Sequence, residues 1–257
     1  MSDLGMTEAE ATGHEDPYEE RFMPHEPPVG DDEKAEKRKL GLTFWISVGW
    51  LALVIGLAVF APNLSFLKSP DVNFIQPGER PPYPPSSEHW FGTDQDARDM
   101  FSRTIYGART SLTVGFAAIA FGLLVGGTLG VLAGYFRGKV DAVISFAFLS
   151  LLSFPALVLA ILITSLLERS LLTISMTIGV LSVAPVGRVA RATTISFADR
   201  EFVLAARSLG ARHPRIIVRE LLPNVLIPMG AFSLLGVAIA IVAEGSLAFL
   251  GLSVEKG

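Results

Sequence analysis

Cysteine is absent from the 257 residues, which excludes disulfides and thiolate metal sites. Histidine is scarce: His14, His25, His89 and His213 all fall outside the long apolar runs, and no HExxH motif occurs. Charge is scarce too, at 18% of residues against 50% hydrophobic, too little for a soluble domain of this length. A membrane class follows. No Walker A sequence is present, so the chain is not expected to hydrolyse ATP itself. The apolar runs contain no aspartate pair and no nucleophile beside a base. An intramembrane enzyme is excluded on that ground, and no catalytic or metal-binding residue is expected.

What charge there is, is segregated. Residues 1–36 hold 12 acids and 2 bases, while the remainder carries a net charge of +6. The segment 1–39 is acidic, proline-rich and poor in aliphatic clusters, so it buries too little apolar surface to offset its ordering entropy. A disordered, solubilising cytoplasmic tail is expected. It has no basic region ahead of an apolar core, and so is no secretory signal peptide. Residues 40–61 are uncharged and long enough to span a bilayer core of about 30 Å. Lys34, Lys37, Arg38 and Lys39 precede them, which places the tail in the cytoplasm by the positive-inside rule. Trp45 suits an interface anchor better than Trp50.

Residues 62–109 form a proline-rich extracytoplasmic connection, extended at Pro81-Pro82 and Pro84-Pro85. Thr93 or Asp94 is expected to cap a helix lying along the membrane interface, with Met100, Phe101, Thr104 and Ile105 as its apolar stripe. A second span is expected at 111–136. Gly122, Gly126, Gly130 and Gly134 share one face of it, where small residues let a neighbouring helix approach closely. Arg137 and Lys139 put its end in the cytoplasm. The third span, 142–167, contains Pro155, read as a kink. The fourth, 171–186, ends near Pro185, ahead of Arg188 and Arg191.

Residues 188–224 form the connection with the strongest positive-inside signal, with Arg188, Arg191, Arg200, Arg207, Arg212, Arg215 and Arg219. Nucleic-acid binding is disfavoured, because no aromatics interleave and no recognition module is present. Within this connection Asp199 is expected to cap a short amphipathic helix ending near Gly210. Glycine tolerates the left-handed conformation that stops a helix, and Pro214 cannot continue it. The fifth span, 226–254, is expected to be interrupted at Pro228 and Gly230. Glu244 lies inside it. A carboxyl at membrane depth either lines a water-filled pathway or joins two helices by a hydrogen bond.

Three stretches carry a resemblance. Leu204-Ala205-Ala206, Gly210 and Leu222-Pro223 resemble the EAA loop of binding-protein-dependent importers, with Leu204 in place of Glu and Glu220 where an apolar residue is usual. The run from Gly92-Thr93-Asp94 through Ser102-Arg103 to Tyr106-Gly107-Ala108-Arg109 and Ser111-Leu112 is similar to the signature of C-type permeases in the dipeptide, oligopeptide and nickel ABC importer family. Ala97 replaces its usual Gly. Glu244 to Leu252 looks like the family's E-x-S-L-S-F-L-G-L, with Ala248 for the second Ser.

The resemblance implies an all-α, polytopic bundle of the type I ABC importer permease fold, with residues 110–257 as the core permease domain. It implies a bacterial inner-membrane location. It also implies a second homologous permease, ATP-binding cassette subunits that hold ATP and Mg, and an extracytoplasmic solute-binding protein. The permease itself would bind no cofactor. Glu201, Ala205, Ala206, Arg207, Leu209 and Gly210 would contact the ATPase. Short peptides are the expected cargo, with nickel or glutathione as alternatives, and a structural membrane protein without transport as the reading of another class. Family members continue into a sixth helix. Five spans from a cytoplasmic start would leave the C-terminus outside, and truncation is the expected explanation.

Overall fold

The computed structural model describes residues 41–75, 78 and 80–252; the expectation for the tail at 1–39 lies outside them. The contacts divide the chain into two units, Met1–Ile46 and Ser47–Gly257. In the first, Phe44 and Trp45 meet edge to face at 5.6 Å near the start of helix α1, Leu42–Phe60. All that follows concerns the second unit.

Helix α1 and a following 3-10 turn make an uncharged stretch, Leu42–Asn63, whose residues are mostly exposed. An apolar helix with so little of itself buried faces lipid or another membrane subunit. The following residues turn irregularly through two antiparallel bridges, Asn73 with Arg98 and Thr93 with Asp99. Neither expected cap serves as one. Thr93 is tied to Tyr83, accepting its N–H at 2.8 Å, while Asp94 accepts the N–H groups of Asp96 and Arg98. Asp99, immediately before the helix, accepts from Ser102 N–H at 2.8 Å and is the cap.

That helix, α2 (Met100–Phe136), is one continuous rod of 37 residues with a π-helical turn at Leu123–Gly127. The expected interfacial helix is its first part, not a separate element. No proline falls between Pro85 and Pro155, so nothing removes a backbone hydrogen bond along it. At about 1.5 Å per residue it is some 55 Å long, well beyond a hydrocarbon core of about 30 Å.

The third expected span is two helices, α3 (Gly138–Leu152) and α4 (Ala156–Leu166), bent by 81°. Pro155 lacks an N–H and disfavours helical backbone at Phe154, so the chain breaks there rather than kinking gently. Helix α5, Leu171–Ala198, starts at a Ser170 cap and outruns its expected end at 186. Pro185 is absorbed within it, and beyond Pro185 the buried Gly187, Ala190 and Thr194 keep it packed. Arg191, expected in a loop, pairs from this helix with Asp141 of α3, its Nη2 2.6 Å from Oδ2.

After α5 come the short α6 (Glu201–Ser208) and the long α7 (His213–Phe249), which holds a π-helical turn at Ile216–Leu221. Pro228 and Gly230 do not interrupt α7, which packs along its length against α2 and α5. Packing outweighs one missing bond. In all, four helices are long and apolar enough to cross a membrane, or five if the bent pair counts as one span.

Helix α5 sits at the centre of the packing. Its face meets the glycine side of α2 at backbone contact. A β-carbon on Gly126 or Gly130 would overlap the carbonyl oxygen of Val183 or Gly187 respectively. One on Gly122 would lie 2.9 Å from Ser182 Cβ, and one on Gly134 2.7 Å from Arg191 O. Where hydrophobicity supplies no difference between lipid and partner helix, such close fit is what holds helices together.

Candidate functional site

Helix α6 hangs between the ends of α5 and α7. Its first residue follows Arg200, which has no side-chain cap bond. Asp199 instead ends α5 and binds Arg137 Nη2 at 2.6 Å, so the expected cap is spent on the turn between α2 and α3. The other end stops as glycine chemistry requires. Gly210 has φ +77°, its N–H donates to Arg207 O at 2.9 Å, and Ala211 N–H donates to Ala206 O at 3.0 Å. These two bonds are a Schellman motif, which ends the helix and turns the chain toward Pro214.

One side of α6 is anchored. Val203 is fully buried with Tyr135, Ala198, Ile216 and Leu221, and Ala206 packs against that cluster. Tyr135 is the key to the anchorage. Its hydroxyl lies 2.7 Å from His213 Nδ1, and the Arg207 guanidinium sits 5.5 Å from its ring centroid. The last turn of α2 thus touches α6 and the first turn of α7 together. Of the six residues singled out in the sequence, Glu201, Ala205, Arg207, Leu209 and Gly210 are exposed, while Ala206 turns half inward. Leu209 is 88% exposed and Leu204 49%, so α6 presents an apolar outer face as well as an apolar inner one. Sequence reasoning missed Tyr135, and also Asp141 with Arg191. These partners stand 50 or more residues apart, and the only local signal for Tyr135 was an aromatic at a helix end.

Near the opposite end of α7, Glu244 is 5% exposed, and Ser111 of α2 donates its hydroxyl to Glu244 Oε2 at 2.8 Å. The carboxyl therefore bridges two long helices. Glu244→Gln keeps an acceptor for Ser111 and is expected to leave the unfolding midpoint in detergent nearly unchanged. Glu244→Leu is expected to destabilise by about 1 kcal/mol, the scale of polar contacts between membrane helices. A Gln variant that assembles normally yet fails to transport would instead assign the carboxyl to the pathway.

At the start of α2, His89 Nδ1 and Asp99 Oδ1 lie 2.9 Å apart, both side chains buried. Burial pushes the Asp99 carboxyl upward, but the Ser102 N–H and hydroxyl and His89 outweigh it, and its pKa falls below the ordinary range. Asp94 follows the same pattern: burial opposes, while the N–H groups of Arg98 and Asp96 and the charges of Arg98 and Arg103 prevail. A carboxylate with a lowered folded pKa contributes stability that is complete above its unfolded value, about 3.9. That contribution disappears as pH falls through the folded value. Hydrogen exchange across residues 62–99 should be unchanged from pH 7 to 5 after correction for intrinsic rates. Protection should collapse below about pH 4, and Asp99→Asn should show reduced protection already at pH 7.

Long apolar helices packed through glycine, with a short two-faced helix between two of them, define a polytopic membrane permease. The chain belongs to the binding-protein-dependent transport system inner membrane component family, which residues 126–255 match. It is 38% identical over 226 residues to the dipeptide transport system permease protein DppC of Alkalihalophilus pseudofirmus, covering 87% of this chain and 71% of that one. To the oligopeptide transport system permease protein OppC of Bacillus subtilis it is 31% identical over 247 residues, covering 91% and 79%. The glutathione transport system permease protein GsiD of Pectobacterium atrosepticum is 33% identical over 171 residues, covering 66% and 57%. The chain is thus a multi-pass permease subunit of an ABC importer and not an enzyme; in this family ATP hydrolysis lies in separate subunits.

Proposed function

We propose that this permease forms, with a second homologous permease, the pathway for ATP-driven uptake of short peptides. Two ATP-binding subunits, which hold the ATP and Mg, dock on the outer face of α6, and an extracytoplasmic binding protein delivers the cargo. The observation that carries the coupling half is the two-sided build of α6: Val203 locked into the bundle, Leu209 almost wholly exposed. Glu201, Ala205, Arg207 and Gly210 complete the outer contact surface, and Ala206 sets the height of the helix above the bundle. Movement of a docked ATPase would reach α2 through Tyr135 and α7 through His213 as a rigid-body shift. The N-terminus lies in the cytoplasm on this reading, with α6 on the same side.

Peptide cargo is supported by the relatives that transport dipeptides and oligopeptides. Glutathione, itself a tripeptide, is favoured as a second cargo by the similarity to GsiD. Pull-down of the tagged chain from detergent-solubilised membranes tests the assembly. Co-purified ATPase subunits, a second permease and ATPase activity are expected; a lone chain without activity would overturn the reading. Uptake of labelled dipeptide and of glutathione in cells lacking the chain separates the two cargoes.

A further inference from the structure

The largest open cavity among those lined by described residues, about 490 Å³, lies at the start of α2, far from α6. Since Tyr135 and the α6 cluster sit at the last turn of α2, the cavity belongs to the opposite membrane side. Its walls are aromatic. Trp90 stacks with Phe66 at 6.1 Å and 17°, and meets Phe101 at 4.8 Å; Phe74 closes another side. These walls are held in place. Lys68 N–H donates to Ser102 Oγ at 3.0 Å, Phe74 N–H to Ala97 O at 2.9 Å, and His89 is locked to Asp99.

Two charges of opposite sign also line it. Lys68 Nζ lies 4.6 Å from the centroid of the Phe74 ring, and Glu88 is exposed at the rim. Among the described residues neither has an ion-pair partner, and they are not within ion-pair distance of each other. Asp99, the third charge on the wall, is already engaged by Ser102 and His89. An aromatic cavity with one free cation and one free anion, held apart, is complementary to a small zwitterion with an apolar body. An anionic lipid headgroup would meet the repulsion of Glu88, and a hydrocarbon chain would leave both charges without a counterpart.

We propose that this cavity is a subsite for a short zwitterionic peptide, its amino group toward Glu88, its carboxylate toward Lys68 and an apolar side chain against Trp90 and Phe101. Two extended residues span about 7 Å, wider than an ion pair, which fits charges that do not reach each other. The volume lies within the range of about 300–1,000 Å³ usual for small-ligand pockets. The choice of a peptide rests on the cargo reading above; the cavity and its charges do not. Such a site would hold cargo at the mouth of the permease without the binding protein.

The test is direct binding to the purified full chain in nanodiscs, independent of transport and of partner subunits. Trp45→Phe and Trp50→Phe leave Trp90 as the only tryptophan. Ala-Phe is expected to change its fluorescence saturably. Amidating the peptide's carboxylate should weaken binding about threefold to tenfold, the scale of a solvent-screened charge contact. N-acetylation should do the same. In Lys68→Met amidation should no longer matter, and in Glu88→Gln acetylation should no longer matter. Both positions lie outside the buried core, so both variants are expected to fold. No saturable response to the peptide overturns the proposal, as does equal sensitivity to amidation in Lys68→Met and the parent. Quenching by brominated lipid without any peptide response also overturns it, and would make the aromatic cluster a membrane anchor. Peptide binding by a chain that recruits no ATPase would keep the subsite and sink the importer assembly.

Discussion

Gly130→Val is expected to abolish stable accumulation of the protein, the largest effect of any single substitution considered. The reason is what it meets. A β-carbon at Gly130 overlaps Gly187 O and lies 2.8 Å from Ala190 Cβ, both on α5. Neither obstacle is the far end of a flexible side chain, so relief requires the two helices to move apart. Overpacking a well-filled core costs typically about 1–3 kcal/mol, and backbone obstruction belongs at or above the top of that range. Separation would also loosen Gly126 and Gly134, which use the same surface. The control is Gly230→Ala, also within a long helix, where an added β-carbon meets nothing within 4 Å. There the better helix propensity of alanine should leave stability equal or higher by up to about 1 kcal/mol. Size-exclusion profiles after heating in detergent would check both. A Gly130→Val protein as heat-resistant as the parent would show that the α2–α5 contact contributes little to stability.

Gly210→Trp is expected to leave the protein inserted and folded while abolishing uptake. Nothing in the chain lies within 4 Å of a β-carbon placed there, so no internal clash arises. Two effects remain, a bulky ring on the outer face of α6 and the strain of a side chain at φ +77°. Strain costs about 1–2 kcal/mol for most residues and less for Asn, whose side chain tolerates the left-handed region. Gly210→Asn therefore isolates the conformational part and should keep most of the uptake. The Trp variant should lose uptake at least about a hundredfold if the ATPase docks here, since a hot-spot contact of about 3 kcal/mol is lost. Normal uptake by Gly210→Trp would sink the docking model, and equal loss in both variants would assign the effect to the helix stop.

The resemblance was carried by short-range patterns, and the structure explains why some of them persist. Ala97 stands where relatives of this kind carry Gly, and it has φ +59° with its side chain wholly buried. The family glycine fits that backbone without strain, which a reading of the residue string alone does not reveal. The same holds for Gly210, although there the neighbouring Pro214 already signalled a helix stop. Caps were harder to read. Asp94, Asp99 and Asp199 are chemically alike, yet one ties a turn, one caps α2 and one pairs with Arg137. Each outcome depends on which N–H groups or cations the fold brings within about 3 Å, and the spacing in sequence does not contain that information.

Local chemistry by itself determined that this is a helical membrane protein, because uncharged runs near 20 residues have no other stable home. It determined the glycine face of α2 and the left-handed stop after α6, since both depend on residues next to one another along the chain. Only the tertiary structure decided where the helices end. Proline at 155 breaks a helix with little packed beside it, whereas prolines at 185 and 228 are carried inside helices buried against their neighbours. The same residue loses the same hydrogen bond at all three places. Packing on the other side of the ledger differs, and it comes from residues far away in the chain.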